Sequence, residues 1–206
     1  IVKKILTNKN IPKIIFLEKP CFQNIKELKE IKKLAKSKDV PMIINHSKRF
    51  DPRIILFKNL LLKRRFGKIR SIYSTYYNGW MHNGVHLIDM IIYLFNSNLK
   101  IVNFLKPYFR KKENIDIHLK DNKNNFDLFV NSVDEKNFQY FKVEFFFEKF
   151  LISINNFGKE IFIKKVIKNK IGEKILSKKN YKFKSQMISP TTNALNMILK
   201  FLKKKD

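Results

Sequence analysis

Two short apolar runs, residues 13–17 and 41–45, stand on either side of a single amphipathic segment. This spacing constrains the fold more than any other feature of the chain. Between the runs, residues 24–36 place apolar side chains at 25, 28, 31, 34 and 35, the period of a helix with one buried face. A strand, one helix and a second strand joined so closely form a parallel βαβ unit, because parallel neighbours need a crossover and a helix supplies it. The polar stretch Asn8-Lys9-Asn10-Ile11-Pro12 is a turn ahead of the first strand, and residues 1–8 read as the end of a helix.

The next segments keep alternating in type. After Asp51-Pro52, residues 53–65 are helical, with Lys63-Arg64-Arg65 at the end where the helix dipole favours cations, and Phe66-Gly67 stops them. Residues 69–77 alternate as a strand, and 85–95 form a strongly apolar helix ended by Asn96 and Asn98. From residue 100 the texture changes. Strand-like runs near 101–108, 115–119, 126–133, 138–147, 150–156 and 160–167 are separated by polar turns such as Asp121-Asn122-Lys123-Asn124. Such a succession of hairpins predicts a largely antiparallel sheet. Residues 170–189 are polar and weakly patterned. Residues 191–202 form a last amphipathic helix, with Ser189 or Thr191 as N-cap and Pro190 near its start, and Lys203-Lys204-Lys205 reads as a solvated end. The expected architecture is a parallel α/β fragment over 1–45 joined to an α+β domain over 46–206 whose sheet is large, open and mostly antiparallel.

The net charge of +27 raises nucleic acid or an anionic membrane as a partner. Arg, the residue suited to bidentate phosphate and guanine contacts, holds only positions 49, 53, 64, 65, 70 and 110, and the other 38 of 44 basic residues are Lys. Lys, Ile, Asn and Phe are all abundant and all have A/T-rich codons, so coding bias accounts for the charge and nucleic acid is not the expected partner. The alternative is a basic surface that attracts phosphorylated or nucleotide-linked substrates. No run of about 18 uncharged apolar residues exists to span a membrane. A single cysteine, Cys21, excludes an internal disulfide and fits a reducing, cytoplasmic setting. Cys21 follows Lys-Pro, but a thiol with no evident His partner is first a small buried residue and only second a nucleophile.

Three segments carry chemistry: Glu18-Lys19-Pro20, Asn45-His46-Ser47-Lys48-Arg49-Phe50, and His82-Asn83-Gly84-Val85-His86-Leu87-Ile88-Asp89. The first two follow the two strands of the βαβ unit, which puts both at the carboxyl edge where open α/β sheets bind ligands. The third opens a helix, where unspent N–H groups favour an anion. Each has a plainer reading: a solvated loop, a structural Arg-Phe pair, a satisfied histidine on a helix face. His82, His86 and Asp89 could also face one metal ion, although the Glu of the zincin pattern is missing and Gly84 sets His82 in the loop; no metal is expected.

These motifs, in this order and spacing, resemble the Gfo/Idh/MocA family of NAD(P)-dependent sugar oxidoreductases, the glucose-fructose oxidoreductase and inositol dehydrogenase type. The resemblance rests on Leu-Glu-Lys-Pro at 17–20, Arg-Phe-Asp-Pro at 49–52, Phe-Gly-Lys-Ile at 66–69 and Gly-Val-His-Leu-Ile-Asp at 84–89. It implies a Rossmann-type sheet whose end is the 1–45 fragment, followed by a substrate-binding and oligomerisation domain. It implies Lys19 and His86 as the catalytic pair, Glu18, Lys19 and Pro20 at the NAD or NADP nicotinamide with Pro20 often in a cis peptide, and Asn45, Arg49, His82 and Asp89 at the substrate, with Tyr76 or Tyr77 as further contacts. The implied partners are a sugar or nucleotide sugar and a second copy of the chain, paired through the open sheet with the Phe-rich run 141–150. The chain departs from the family where His82 takes a position often held by Asp. It also has no G-x-G-x-x-G among its five glycines, so the cofactor site is expected to be incomplete, its first strand and Gly-rich turn belonging upstream of Ile1. The alternative reading is a non-catalytic fragment acting as a binding or oligomerisation module.

Overall fold

The structure, a computed structural model, describes residues 1–105, 114–133, 139–182 and 189–203. They divide into two compact units, Ile1–Phe50 with Ile188–Asp206, and Asp51–Met187.

In the first unit, helix α1 (Val2–Leu6) precedes strand β1 (Ile15–Leu17), helix α2 (Ile25–Ser37) and strand β2 (Met42–Ile44). The two strands pair in parallel, Phe16 opposite Ile43, as the βαβ spacing predicts. α2 starts where its chemistry says it should. The Asn24 side chain accepts the N–H of Glu27 at 2.9 Å, and the Glu27 carboxylate returns to the N–H of Gln23 at 2.8 Å, a reciprocal cap displaced by one residue. Val2, Leu6, Ile15, Ile31, Ala35 and Val40 form the core of this unit.

The second unit begins with Asp51 as N-cap of α3 (Pro52–Leu62). The buried Asp51 carboxylate accepts the N–H of Arg53 at 2.9 Å and its guanidinium at 3.0 and 2.7 Å, so the charge of a buried Arg is matched within one turn. Strand β3 (Ile69–Tyr77), a π-turn over Trp80–Gly84 and helix α4 (Val85–Phe95) follow, and Asn96 closes α4 in the left-handed conformation. The remaining strands are β4 (Leu99–Leu105), β5 (Asp116–Asp121), β6 (Phe126–Val133), β7 (Lys142–Phe147), β8 (Phe150–Asn155), β9 (Glu160–Lys168), β10 (Lys174–Leu176) and β11 (Tyr181–Lys182). Among the described residues they make one sheet in the order β10-β9-β8-β7-β3-β6-β5-β4, with β11 also on β9.

The hairpins β4–β5–β6 and β7–β8–β9 are antiparallel as expected. β6 and β7 are not partners. β3 lies between them, parallel to β6 and antiparallel to β7, with Tyr73 opposite both Phe129 and Glu144. Hairpin signals are local, and they carry no information about an earlier strand entering the middle of the sheet. β10 and β11 form in the polar stretch where no strand was expected; every residue in them is exposed, so no alternation marks them. The ends of two expected strands (106–108 and 138) and Lys204-Lys205 lie outside the described residues.

One face of this sheet is core. Ile72, Tyr76, Leu128, Val130, Val143, Phe145, Ile152 and Ile154 pack with Ile54 and Phe57 of α3 and Leu87, Met90 and Ile91 of α4. On the other face, Tyr73 stacks on Phe129 at 4.9 Å, His118 stacks on Phe129 at 4.4 Å, and Phe146 meets Tyr73 edge-on at 5.5 Å. The Phe-rich run therefore serves the open face with Phe146 alone, because strand alternation turns Phe145 and Phe147 into the core and Phe141 is buried with them.

Helix α5 (Pro190–Leu202) belongs to the first unit, with Pro190 in its first turn and Ser189 before it making no side-chain cap. Its Asn193 amide donates to the carbonyl of Phe50 at 3.1 Å, and Ala194 and Ile198 are buried. Among the described residues no helix is long and apolar enough to cross a membrane.

Candidate functional site

At the carboxyl edge of the small sheet, the N–H of Asn45 donates to the carbonyl of Leu17 at 2.7 Å, carrying the parallel ladder one step past β2. The Asn45 side-chain amide then donates to Oε1 of Glu18 at 2.7 Å. Asn45 is 7% exposed, and its own Oδ1 is buried with no hydrogen-bond partner among the described residues. Two residues singled out separately in the sequence are thus bonded to each other, and the bond ties the Glu18-Lys19-Pro20 turn to the end of β2. Lys19 is half-buried and its peptide bond to Pro20 is cis. Arg49 lies half-buried in the short 3-10 turn Ser47–Phe50, whose Phe50 ring meets Phe16 edge-on at 6.3 Å. Burial pushes the Cys21 thiol up, the hydrogen bond to its own backbone opposes this and the Glu27 charge adds to it, so the thiolate that a nucleophile needs is disfavoured.

The His82–Asp89 segment sits in the second unit. Gly79 leaves β3 with φ 78, and the N–H groups of Asn83 and Gly84 both return to its carbonyl, at 3.0 and 3.3 Å. The N–H of Val85 goes to Trp80. Helical bonding therefore starts before His86, and the open helix end expected there does not exist, because the π-turn has spent its donors. π-turns of this kind recur at functional sites. Asn83 is buried and its amide donates to the carbonyl of Tyr77 at 2.8 Å, pinning the turn to the end of β3. His82 is exposed, His86 half-buried and Asp89 buried. Among the described residues no three His, Cys, Asp or Glu side chains are grouped to hold a metal ion, so His82, His86 and Asp89 are not assembled as one.

One further residue changes role. Tyr76, expected as a ligand contact, is fully buried, and its hydroxyl is engaged by both backbone groups of Ile115. Tyr77 is half-buried with its ring edge-on to Phe157 at 5.3 Å. Trp80 was missed by sequence reasoning. Its indole covers Gly84 and meets Tyr76 edge-on at 5.9 Å; the one tryptophan of the chain, placed directly before Met-His-Asn-Gly, was the available signal.

No family model and no curated protein matches the chain. Solved structures do. A super-repressor mutant of Gal80p from Saccharomyces cerevisiae superposes with TM-score 0.73 at 16% identity, over 100% of this chain and 63% of that one. D-galactose-1-dehydrogenase from Rhizobium etli gives 0.66 at 14%, over 97% and 64%. KijD10, a 3-ketoreductase from Actinomadura kijaniata in complex with TDP-benzene and NADP, gives 0.68 at 10%, over 98% and 72%. The chain shares the fold of these structures over the part it covers. It spans just under two thirds of the length of the first two structures. The expected small parallel sheet and large, mostly antiparallel open sheet are those of Gfo/Idh/MocA-type proteins. The structures that share this fold include a dehydrogenase, a ketoreductase and the transcriptional regulator Gal80p, so the fold does not by itself assign catalysis.

Proposed function

We propose that this chain carries the substrate side of a sugar or nucleotide-sugar oxidoreductase site that works with NAD or NADP. The observation that carries this reading is the Glu18–Asn45 hydrogen bond, which holds Lys19 at the carboxyl edge of parallel strands. The neighbours support the ligand class: KijD10 holds NADP and TDP-benzene, and another neighbour is a D-galactose dehydrogenase. The buried Asn45 Oδ1 is an acceptor that fits a polar ligand at this edge. Glu18, Lys19 and Pro20 would hold the nicotinamide end of the dinucleotide, which when bound supplies the hydride acceptor.

In this reading Lys19 binds the reacting hydroxyl of the sugar and favours negative charge on its oxygen. His86 takes the hydroxyl proton, an imidazole being matched to proton transfer near neutral pH. Asn45 positions Glu18, and Arg49, His82 and Asp89 are assigned to the sugar. No G-x-G-x-x-G occurs in this sequence, so these residues by themselves are expected to bind the dinucleotide weakly.

The test is a dehydrogenase assay on hexoses and nucleotide hexoses at millimolar NAD+ and NADP+. Lys19→Ala and His86→Ala should each lower kcat by about a hundredfold, the range for a lost general base or charge stabiliser. Full activity in His86→Ala would remove it from the mechanism, and micromolar NADH binding that is lost in Lys19→Ala would overturn the incomplete cofactor seat. A second reading, a non-catalytic binding or oligomerisation module, is favoured by the Gal80p superposition over the full chain. It predicts no turnover of any substrate together with a native mass above that of one chain.

A further inference from the structure

A groove of about 630 Å³ opens in the second unit at the amino end of β3. It lies beside Phe95, at the opposite end of α4 from His86, about 14 Å away along the helix axis at 1.5 Å per residue. Nothing in the oxidoreductase reading uses it. Its floor is aromatic: Phe66 and Phe147 stand 5.5 Å apart, and Phe95 and Phe147 stack at 6.4 Å. Its rim is cationic, with Arg64, Lys68, Arg70, Lys123 and Lys149 against the single carboxylate of Glu148. Glu148 is already committed. One oxygen accepts from Arg70 at 2.6 Å and the other from the N–H of Lys68 at 3.1 Å, which steadies Arg70 on the rim.

Two details set this groove apart from the general basic surface. Lys is the default cation of the chain, yet two of its six Arg residues meet here. Arg adds what Lys lacks, a planar fork that grips phosphate and stacks on rings. Arg64 also holds a left-handed backbone, φ 51, at the C-terminal end of α3, where Gly or Asn costs less. The size suits a small molecule.

We propose that this groove binds a mononucleotide, its phosphates on Arg64, Arg70 and Lys149 and its base over the phenylalanine floor. The proposal does not depend on the oxidoreductase reading. The experiment is calorimetric titration of the full chain with ADP, pyrophosphate and adenosine at about 0.15 M salt, where exposed charges are screened beyond about 8 Å. ADP should bind more tightly than either fragment. Arg64→Ala with Arg70→Ala should weaken it by about tenfold or more, the loss of charge-assisted bonds. Lys149→Ala should weaken it independently, which guards against misfolding of the double variant, and the emission of Trp80 reports whether each variant is folded. Lys19→Ala, at the other candidate site, and Lys26→Glu, an exposed charge on α2, should leave it unchanged. The proposal is overturned by absent ADP binding, by pyrophosphate binding as tightly as ADP, or by Lys19→Ala or Lys26→Glu matching the groove variants.

Discussion

The hydroxyl of Tyr76 donates to the carbonyl of Ile115 and accepts from the N–H of the same residue, each at 2.9 Å. One side chain of β3 thereby satisfies both backbone groups at the start of β5, two strands away in the sheet. Burial is the main force on its ionisation. It pushes the phenol up to about 12, with the Asp116 charge adding to the shift and the hydrogen bonds from Ile115 and Ser132 opposing it. The folded value thus lies above the ordinary value of about 10, so the stabilisation is fully present below about pH 10 and is lost as pH rises through 12. Tyr76→Phe removes both hydrogen bonds to the half-buried Ile115 backbone and should cost about 1–3 kcal/mol at neutral pH. Urea melts of both proteins from pH 8 to 12 check this: the gap should narrow across the alkaline window, and a constant gap would argue against the role. Alternation along β3 gives the face of Tyr76 from sequence alone. It does not identify Ile115, 39 residues away, as the partner.

Among the elements, the turn from β3 into α4 depends on Gly84 for space and not for conformation. Its backbone is helical, φ −58 and ψ −44, but a Cβ there would lie 2.7 Å from the Trp80 ring. Gly84→Ala must displace the indole from Tyr76 and should destabilise the second unit by about 1–3 kcal/mol, the usual cost of overpacking. Trp80 is the one tryptophan, so intrinsic fluorescence reads it directly. A shifted emission maximum with a lowered Tm is expected, and unchanged emission would mean that the ring is not held there. α2, α3 and α4 were legible as helices because their signals are local: the apolar period at 25, 28, 31, 34 and 35, Asp51-Pro52 before α3, and Asn96 after α4. The π-turn was not legible. The bonds to the Gly79 carbonyl differ from an ordinary helix start by one residue of register, which no composition signal records.

For the whole molecule, the open face of the sheet carries exposed aromatic side chains. Tyr73 is 45% exposed and Phe146 38% exposed, beside the stacked Phe129 and His118 rings. Covering this face with the same face of a second copy is the oligomer we propose, in keeping with the commonness of two-fold homodimers. Native mass spectrometry should find twice the 24.8 kDa chain mass or more. Tyr73→Glu with Phe146→Lys should return it to one chain, and a wild-type monomer would leave the face unpartnered. What the sequence by itself determined about this protein was the type and order of its main elements, the parallel βαβ start and the three chemical segments, because periodicity, caps and turns are written within a few residues of each other. Only the tertiary structure decided that β3 enters between β6 and β7, that α5 joins the first unit, that Asn45 holds Glu18, and that arginines and phenylalanines from separate elements line one groove. Each of these joins segments far apart along the chain, where the outcome depends on which surfaces meet and exclude water, and not on local propensity.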